Sequence, residues 1–151
     1  METVKRINNK IKEFCRQKEL FAPGDRVLLG LSGGADSVCL FLMLRELSAD
    51  WNLVLVPVHV NHNLRGEEAL ADQRFCEALC REHNCSLVTV SVPVAELSEE
   101  HGWTLEEAGR NARYEALQDF RRNMGVIKLL WLTIKMTRRK PYFFSCFVGV
   151  V

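Results

Sequence analysis

The sequence lacks a long apolar run, and its cysteines lack the paired spacing of common metal sites. No stretch of roughly 18 apolar residues occurs, so we expect no membrane-spanning helix. The charged segment of residues 1–16 has no apolar core of the kind that marks a signal peptide. The six cysteines include no C-x-x-C pair. These absences indicate a cytoplasmic protein in which most cysteines are small buried apolar residues.

Acidic residues are missing from the C-terminal segment. Residues 126–151 contain five Lys/Arg and no Asp/Glu. Residues 1–125 therefore hold 15 basic and 19 acidic residues, which excludes a basic nucleic-acid binder by overall charge. A length of 151 residues with 48% hydrophobic composition fits one globular domain with a real core.

A glycine-rich loop separates an apolar run from an amphipathic segment within residues 28–40. The loop reads Ser32-Gly33-Gly34-Ala35-Asp36-Ser37. It lacks the Gly-Lys-Ser/Thr of a Walker A loop and the spacing of the G-x-G-x-x-G fingerprint. The two glycines permit unusual dihedrals and a close approach to a ligand, and open N–H groups of a following helix favour phosphate oxygens. A strand-to-helix turn without a ligand is the alternative.

The polar side chains of this loop suit a phosphate ligand. Ser32 and Ser37 can add hydroxyl donors, and Asp36 can hold a Mg²⁺ ion that screens phosphate charge. The hexapeptide resembles the pyrophosphate loop of the ATP-pyrophosphatase (PP-loop) superfamily. Members of that superfamily cleave ATP between its α and β phosphates and adenylate a carbonyl oxygen, so the resemblance implies ATP as the ligand.

Apolar strands and amphipathic helices alternate along the chain. The pattern predicts strands over residues 26–31, 53–60 and 85–92, and helices over residues 1–16, 38–48, 67–83 and 105–122. Residues 94–102 are expected to form a connector. This alternation predicts an α/β fold with a doubly wound parallel sheet, Rossmann-like, which we expect to be truncated. Pro57 indicates an edge or irregular position for the second strand.

Apolar periodicity predicts the buried face of each helix. Leu42 is expected inside on the second helix, and Leu70 and Phe75 on the third. Phe14 is expected to face the core from the first helix. The basic residues of the first helix form a solvated surface or contact RNA.

Polar residues end the second strand, where ligands bind in open α/β sheets. The segment reads His59-Val60-Asn61-His62-Asn63-Leu64-Arg65-Gly66. Its histidines could be metal ligands, but no carboxylate or cysteine completes a site. Structural hydrogen bonds and contacts with a nucleotide are the other interpretations.

A capping-box pattern, Thr104-x-x-Glu107, opens the last predicted helix. Arg110 and Arg113 lie three residues apart on that helix and therefore share a face. They can hold phosphate in a bidentate manner, or form a solvated pair with Glu106 and Glu107.

Four segments, taken in order, resemble the tRNA(Ile)-lysidine synthetase family. They are residues 23–27, 32–37 and 59–66, and Leu105-Glu106-Glu107-Ala108 with Arg113-Tyr114. The hexapeptide marks the superfamily only, whereas His-Val-Asn-His-x-Leu-Arg-Gly points to the lysidine synthetases. The resemblance implies a ligase that uses ATP to adenylate the C2 carbonyl oxygen of the wobble cytidine in isoleucine tRNA. The amine of free L-lysine then displaces AMP.

The same resemblance implies roles for individual residues. Those implied to bind ATP are Ser32, Gly33, Gly34, Ala35, Asp36, Ser37, His59 and Asn61. Asp36 would orient the loop or bind Mg²⁺, and it would act in catalysis with Arg113, which approaches the phosphates or the RNA. His62 and Arg65 would border the cytidine.

The resemblance covers about residues 3–125 and stops after Gly125. We therefore divide the chain into a partial ATP-binding domain, residues 1–125, and a tail unlike the family, residues 126–151. The family would continue with an apolar strand and then His-His-x-x-Asp-Gln-x-Glu-Thr on a helix. A reading-frame shift near Gly125 accounts for the loss. A genuine divergent tail, either strand–loop–strand or a basic, aromatic surface-binding element, is the alternative.

Without that second motif and a tRNA-grasping C-terminal domain, we expect this chain to be a truncated, inactive form. One alternative is a nucleotide-binding fragment without catalytic activity. Another is a tRNA cytidine thiolase of the same superfamily, which the absence of C-x-x-C pairs disfavours.

The encoding DNA tests the frameshift hypothesis. Codons for residues 126–141 can be chosen so that dropping the first two bases yields Asp-Lys-Ile-Ala-Leu-Ala-His-His-Lys-Asn-Asp-Gln-Ala-Glu-Thr. Met136 has one codon and the codon of Thr137 begins with AC, so the two together fix the shifted Asp codon. We expect the natural codons to read this motif in another frame. Codons that do not read it in any frame would end the hypothesis.

Overall fold

The computed structural model describes residues 2–63, 66–124, 128–134 and 144–149. Its elements, in chain order, are helix α1 Glu2–Gln17, strand β1 Arg26–Gly30, helix α2 Ala35–Trp51, strand β2 Val54–Asn61, helix α3 Glu67–Glu82, strand β3 Val88–Ser91, helix α4 Val94–His101, helix α5 Leu105–Met124, strand β4 Lys128–Ile134 and strand β5 Phe144–Gly149. The five strands form one sheet in the order β3-β2-β1-β4-β5.

The first four strands of the chain are parallel. β1 lies between β2 and β4, and β2 also pairs with β3, whereas β5 runs antiparallel to β4. The chain therefore moves outward from β1 to β3 and then returns to the other side of β1. This reversal confirms the doubly wound α/β fold and puts a switch point at the carboxyl end of β1.

Helices cover both faces of the sheet because successive residues of β1 point to opposite sides. Val27 and Leu29 belong to one buried cluster with Phe41 of α2. Leu28, between them, packs in a second cluster with Leu117 of α5. The first cluster also holds residues of α1 and α3, so α1, α2 and α3 share a face and α5 covers the opposite one.

Pro57 lies in an interior strand, so the expectation of an edge position is wrong. β2 pairs with β1 on one side and with β3 on the other. The Val58 carbonyl accepts a hydrogen bond from the N–H of Leu31 at 2.8 Å, so the nitrogen of Pro57, one residue earlier, points towards β3. Pairing with β3 begins only at Val58. The missing N–H of Pro57 therefore breaks no ladder hydrogen bond.

Residues 94–102, expected as a connector, contain helix α4. The N–H of Leu97 donates to the Pro93 carbonyl at 3.1 Å. Gly102 ends the helix in a left-handed conformation with φ of 65°. A helix of eight residues that buries Val94 is too short for apolar periodicity to reveal.

Four side chains that periodicity assigned to the core are at least 40% exposed: Phe14, Leu42, Leu70 and Phe75. On α3 the buried residues are Cys76 and Cys80, one turn apart. A helix on a sheet buries only a stripe of its surface, and apolar residues beside that stripe stay in contact with water. The inward orientation expected for these four residues is therefore wrong.

Three element boundaries differ from the predicted ones by three residues. β3 begins at Val88 rather than at Cys85, and α2 runs from Ala35 to Trp51 rather than from Val38 to Ser48. The first turn of α2 consequently includes Asp36 and Ser37 of the glycine-rich loop.

Of the helices in the described part, none is both long and apolar enough to cross a bilayer.

The C-terminal segment contributes the last two strands. β4 pairs with β1, and β5 pairs with β4 over residues 129–134 and 144–149. The strand–loop–strand alternative for the tail expects two such strands, but residues 126–127, 135–143 and 150–151 lie outside the described ranges, so it stays a prediction. The frameshift hypothesis concerns the encoding DNA and stays a prediction.

Phe41 and Leu42 provide a matched pair for testing the core. Phe41 is fully buried and Leu42 is 40% exposed on the same helix. We expect Phe41→Ala to lower the free energy of unfolding by about 3–5 kcal/mol, because a large cavity remains. Leu42→Ala should cost about 1 kcal/mol or less. Urea unfolding of both variants measures this, and similar losses at the two positions would contradict the burial described.

Candidate functional site

The hydroxyl of Ser37 joins the two ends of the loop between β1 and α2. It donates to the Gly34 carbonyl at 2.9 Å, and it accepts from the N–H of Ser32 at 3.2 Å and from the Ser32 hydroxyl at 3.1 Å. The Ser32 oxygen in turn accepts from the N–H of Gly34 at 3.4 Å. Because Ser37 is buried and its hydroxyl is used within the loop, this residue sets the loop's shape, whereas Ser32 is exposed.

The two glycines of the loop differ in conformation. Gly33 has φ of +90°, which favours glycine, and a Cβ there would lie 3.5 Å from the Sγ of Cys76. Gly34 has ordinary extended dihedrals, φ −71° and ψ 155°, so the expectation of an unusual backbone is wrong for this residue. A Cβ on Gly34 would meet only the Oγ of Ser32, at 3.6 Å, within contact range.

Helix α2 starts without a side-chain cap. Its N-cap residue is Gly34, and among the described residues no side-chain hydrogen bond caps the helix. Such groups carry partial positive charge and bind anions. Asp36 stands exposed in this turn. The loop therefore offers backbone donors, an exposed serine hydroxyl and a carboxylate close together.

A cleft of about 330 Å³ opens beside the loop at the carboxyl ends of β1 and β2. This is the edge at which parallel α/β sheets bind ligands. Five side chains predicted from the sequence line it: Ser32, His59, Asn61, His62 and Arg113. The structure thus brings residues from β2 and α5 to the glycine-rich loop.

His59 and Asn61 are buried and hold neighbouring segments in place. His59 Nδ1 lies 2.8 Å from the Leu31 carbonyl, which can only accept, so Nδ1 carries the proton. Asn61 donates through Nδ2 to the Oε1 of Gln73 at 3.3 Å, and its Oδ1 accepts from the N–H of Asn63 at 3.0 Å. These atoms make structural hydrogen bonds, as one of the sequence interpretations expected.

His62 and Arg113 meet at the α5 side of the cleft. Burial, together with the charges of Arg113 and His59, lowers the pKa of His62. A Cβ on Gly109 would lie 3.6 Å from His62 Nδ1, so the imidazole packs directly on α5. Burial also lowers the pKa of the Arg113 guanidinium, which remains protonated at neutral pH. The pair therefore presents a neutral ring and a cation to the cleft.

The predicted capping box is present at the start of α5, and the two arginines that follow it differ in position. The N–H and hydroxyl of Thr104 both donate to Glu107 Oε2, at 3.0 and 2.9 Å, and the N–H of Glu107 donates back to Thr104 Oγ1 at 3.2 Å. These bonds lower the pKa of Glu107, and the charge of exposed Arg110 adds to the effect. Only Arg113 of the two lines the cleft. Arg65, the remaining predicted site residue, lies outside the described residues.

Two residues near the cleft carry no local motif in the sequence. Asp72 of α3 lines it, and a Cβ on Gly33 would lie 3.7 Å from the Cβ of Asp72. Gly109 makes room for the ring of His62 on α5. One feature of the sequence could have located Asp72. It lies one helical turn before the buried Cys76, so Asp72 and Cys76 share the face of α3 that meets the loop.

The cysteines of α3 are packing residues. Burial raises the pKa of the Cys76 thiol to about 12 and that of Cys80 to about 11, so both stay protonated near neutral pH. The Cys76 thiol donates to the Leu31 carbonyl at 3.7 Å. Among the residues that the structure describes, no three His, Cys, Asp or Glu side chains form a group able to hold a metal ion.

Comparison with protein families matches this chain to a PP-loop domain over residues 3–132. A tRNA(Ile)-lysidine synthase from Clostridium perfringens (strain 13) is 36% identical over 123 residues, which are 82% of this chain and 26% of that protein. One from Geobacter sulfurreducens is 38% identical over 119 residues, 79% of this chain and 25% of that protein. The chain thus spans about a quarter of the length of these relatives.

Two solved structures share the fold. The NH3-dependent NAD synthetase from Campylobacter jejuni matches with a TM-score of 0.61 and 19% identity, over 83% of this chain and 54% of the other. The U34-tRNA thiolase NcsA from Methanococcus maripaludis matches with a TM-score of 0.66 and 20% identity, over 83% of this chain and 45% of the other. At these identities the likeness concerns the fold alone.

The lowered pKa of His62 predicts a loss of stability in acid. The unfolded chain binds this proton more readily than the folded one, so the free energy of unfolding falls as the pH drops through the ordinary value of 6.5. We expect His62→Gln to reduce this fall, and His101→Gln, a change at an exposed histidine of α4, to leave it intact. Urea unfolding from about pH 7.5 to about pH 5.5 measures the effect. An unchanged pH dependence in His62→Gln would contradict it.

Proposed function

Because the chain belongs to the PP-loop domain family, we propose that it is the ATP-binding part of a tRNA(Ile)-lysidine synthetase. The observation that carries this proposal is the uncapped start of α2 beside a cleft that Arg113 also lines. Both features provide positive potential where β1 ends. The identity of 36–38% to lysidine synthases supports the choice of tRNA substrate.

The loop is proposed to hold the pyrophosphate that ATP releases. Gly33 and Gly34 leave the backbone open, Ala35 and Asp36 contribute N–H groups of the first turn, and Ser32 adds an exposed hydroxyl. Ser37 supports these donors through its hydrogen bonds to the loop. Donors aimed in advance at the departing phosphates lower the barrier without further rearrangement.

The walls of the cleft are proposed to bind the rest of the substrates. His59 and Asn61 shape the surface against the nucleotide, and His62 with Arg65 borders the cytidine. Arg113 contributes to catalysis by pairing with phosphate oxygens as negative charge develops on them.

Asp36 fits a Mg²⁺ ion, because this metal prefers carboxylate and phosphate oxygens as ligands. The exposed carboxylate of Asp36 stands in the turn whose N–H groups are proposed to bind phosphate. Bound there, the ion would screen the phosphate charge.

The reaction has two steps. The C2 carbonyl oxygen of the wobble cytidine attacks the α-phosphorus of ATP, and the bond to the pyrophosphate oxygen breaks. The amine of L-lysine then attacks C2, and AMP leaves with the oxygen. The task of the protein is to align the reacting atoms and to stabilise charge on the leaving groups.

The thiolase alternative finds less support in the side chains. The structurally similar thiolase NcsA carries a [4Fe-4S] cluster, and cysteine ligands of such clusters are thiolates. Here burial keeps Cys76 and Cys80 protonated, and both pack in the core cluster beneath the loop. The cysteines of α3 are therefore better explained as packing residues.

ATP binding provides the first test. We expect Gly34→Val to weaken ATP binding about tenfold or more, because the added side chain would cover loop N–H groups that are proposed to bind phosphate. Losing one such charge-assisted hydrogen bond costs roughly 1.5 kcal/mol or more. The dihedrals of Gly34 suit any residue, so the variant should fold. Ala78→Val, on the exposed side of α3, is the control for added bulk. Calorimetric titration with ATP measures this, and equal affinity in both variants would contradict the proposed site.

The tRNA reaction provides the second arm of that test. Release of pyrophosphate from ATP is measured with isoleucine tRNA and L-lysine, for the chain and for Asp36→Ala. A rate that depends on tRNA and falls in the variant supports the ligase. Equal rates with intact ATP binding favour the nucleotide-binding fragment instead.

A further inference from the structure

Positive charge is concentrated on α1, although the chain as a whole is nearly neutral. Residues 2–17 contain five Lys/Arg and two Asp/Glu, whereas residues 18–125 contain ten and seventeen. The overall charge that argues against a basic nucleic-acid binder therefore hides a segregation of charge. One helix is cationic and the sequence that follows it is acidic, and a local cationic face of this kind attracts polyanions.

Three cations stand in water on the first turns of this helix. Lys5, Arg6 and Lys10 are exposed, and among the residues that the structure describes none of them takes part in an ion pair. In contrast, the Nζ of Lys12 lies 2.8 Å from the Oδ2 of Asp50. Lys5, Arg6 and Lys10, the α1 cations, therefore keep their charge for a partner outside the described chain.

Contacts with α2 show where the α1 cations lie relative to the glycine-rich loop. Asn8 donates to Glu46 and Lys12 pairs with Asp50, so a step of four residues along α1 matches a step of four along α2. The two helices therefore run in the same direction. Because α2 starts at the loop, residues before Asn8 lie nearer the loop than Glu46 does. The same register puts Lys5 level with a point eight residues, or about 12 Å, after the start of α2.

The apolar side of α1 is already used, which argues against a membrane surface as the partner. Cys15 is buried and Ile11 is partly buried, and both pack in the cluster that contains Leu29 of β1. An amphipathic helix binds a bilayer by burying its apolar face there. Phe14 is exposed, but one side chain offers little area for insertion. A polyanion that stays in water, with charges spaced along a backbone, fits the α1 cations instead.

We propose that Lys5, Arg6 and Lys10 form a contact surface for the phosphate backbone of the tRNA whose base enters the cleft. The inference rests on the proposed function, since that function supplies the tRNA. A base bound at the loop brings neighbouring phosphates to the surface around it, and α1 lies beside the helix that begins there. The acidic remainder of the chain repels the same backbone. The α1 cations therefore set the side from which the RNA approaches, without reading its sequence.

The test is the salt dependence of tRNA binding. Each lost phosphate contact reduces the slope of log Kd against log salt by about 0.7–0.9. A triple variant with Lys5→Gln, Arg6→Gln and Lys10→Gln should therefore lower this slope by about 2–3. It should also weaken the binding of isoleucine tRNA about tenfold or more at about 50 mM salt. The anisotropy of fluorescently labelled tRNA measures both quantities.

The control variant removes the same charge elsewhere. Arg74→Gln, Arg81→Gln and Arg122→Gln together change exposed positions of α3 and α5 and should leave the slope close to that of wild type. Equal losses in the two triple variants would mean a general effect of net charge and overturn the inference. A wild type that binds no tRNA at the lowest salt overturns it as well.

Two further measurements separate this inference from the proposed function. ATP binding of the α1 triple variant should equal that of wild type, and a parallel loss of ATP and tRNA binding would mean a damaged fold and overturn the inference. Vesicles of phosphatidylserine and phosphatidylcholine should bind neither protein. Vesicle binding that only the variant loses, with unchanged tRNA binding, assigns the α1 cations to a membrane and overturns the inference while the ATP site stands. A wild type that fails to bind ATP overturns the proposed function and this inference together.

Discussion

One buried hydroxyl keeps the glycine-rich loop in shape. Ser37 lies in the first turn of α2 and bonds back to Ser32 and to the Gly34 carbonyl, so the helix closes the loop that precedes it. Because no side chain in the described part of the protein caps the helix, its first N–H groups remain available to an anion. β1 and α2 pack in the same buried cluster. The core and the site therefore depend on one continuous segment, and a change that displaces Phe41 would also displace the loop.

Local patterns sufficed for features whose cause is local. The capping box of α5 could be predicted from Thr104 and Glu107 because its hydrogen bonds join residues three apart. The loop could be located because an apolar strand, two glycines and an apolar helix follow one another directly. Parallel pairing followed from the alternation of strands and helices. In each case the determining contacts lie within a few residues or follow from element order.

Features set by tertiary packing escaped sequence reasoning. Asp72 belongs to no motif, and its spacing from Cys76 points to the cleft only once α3 is known to pack on Gly33. Pro57 is tolerated in an interior strand because β3 begins to pair only at the next residue. Two adjacent glycines cannot reveal which one needs a positive φ, and here it is Gly33 alone. Leu70 and Phe75 are exposed because the sheet sets which stripe of α3 is buried.

The charges of the cleft explain why its backbone donors matter. His62 is neutral at physiological pH because burial and Arg113 disfavour its protonation, so Arg113 and Asp72 are the oppositely charged side chains of the lining and nearly cancel. Side chains alone therefore cannot balance a triphosphate. Under the proposed function, the positive potential that a phosphate ligand needs comes first from the uncapped end of α2.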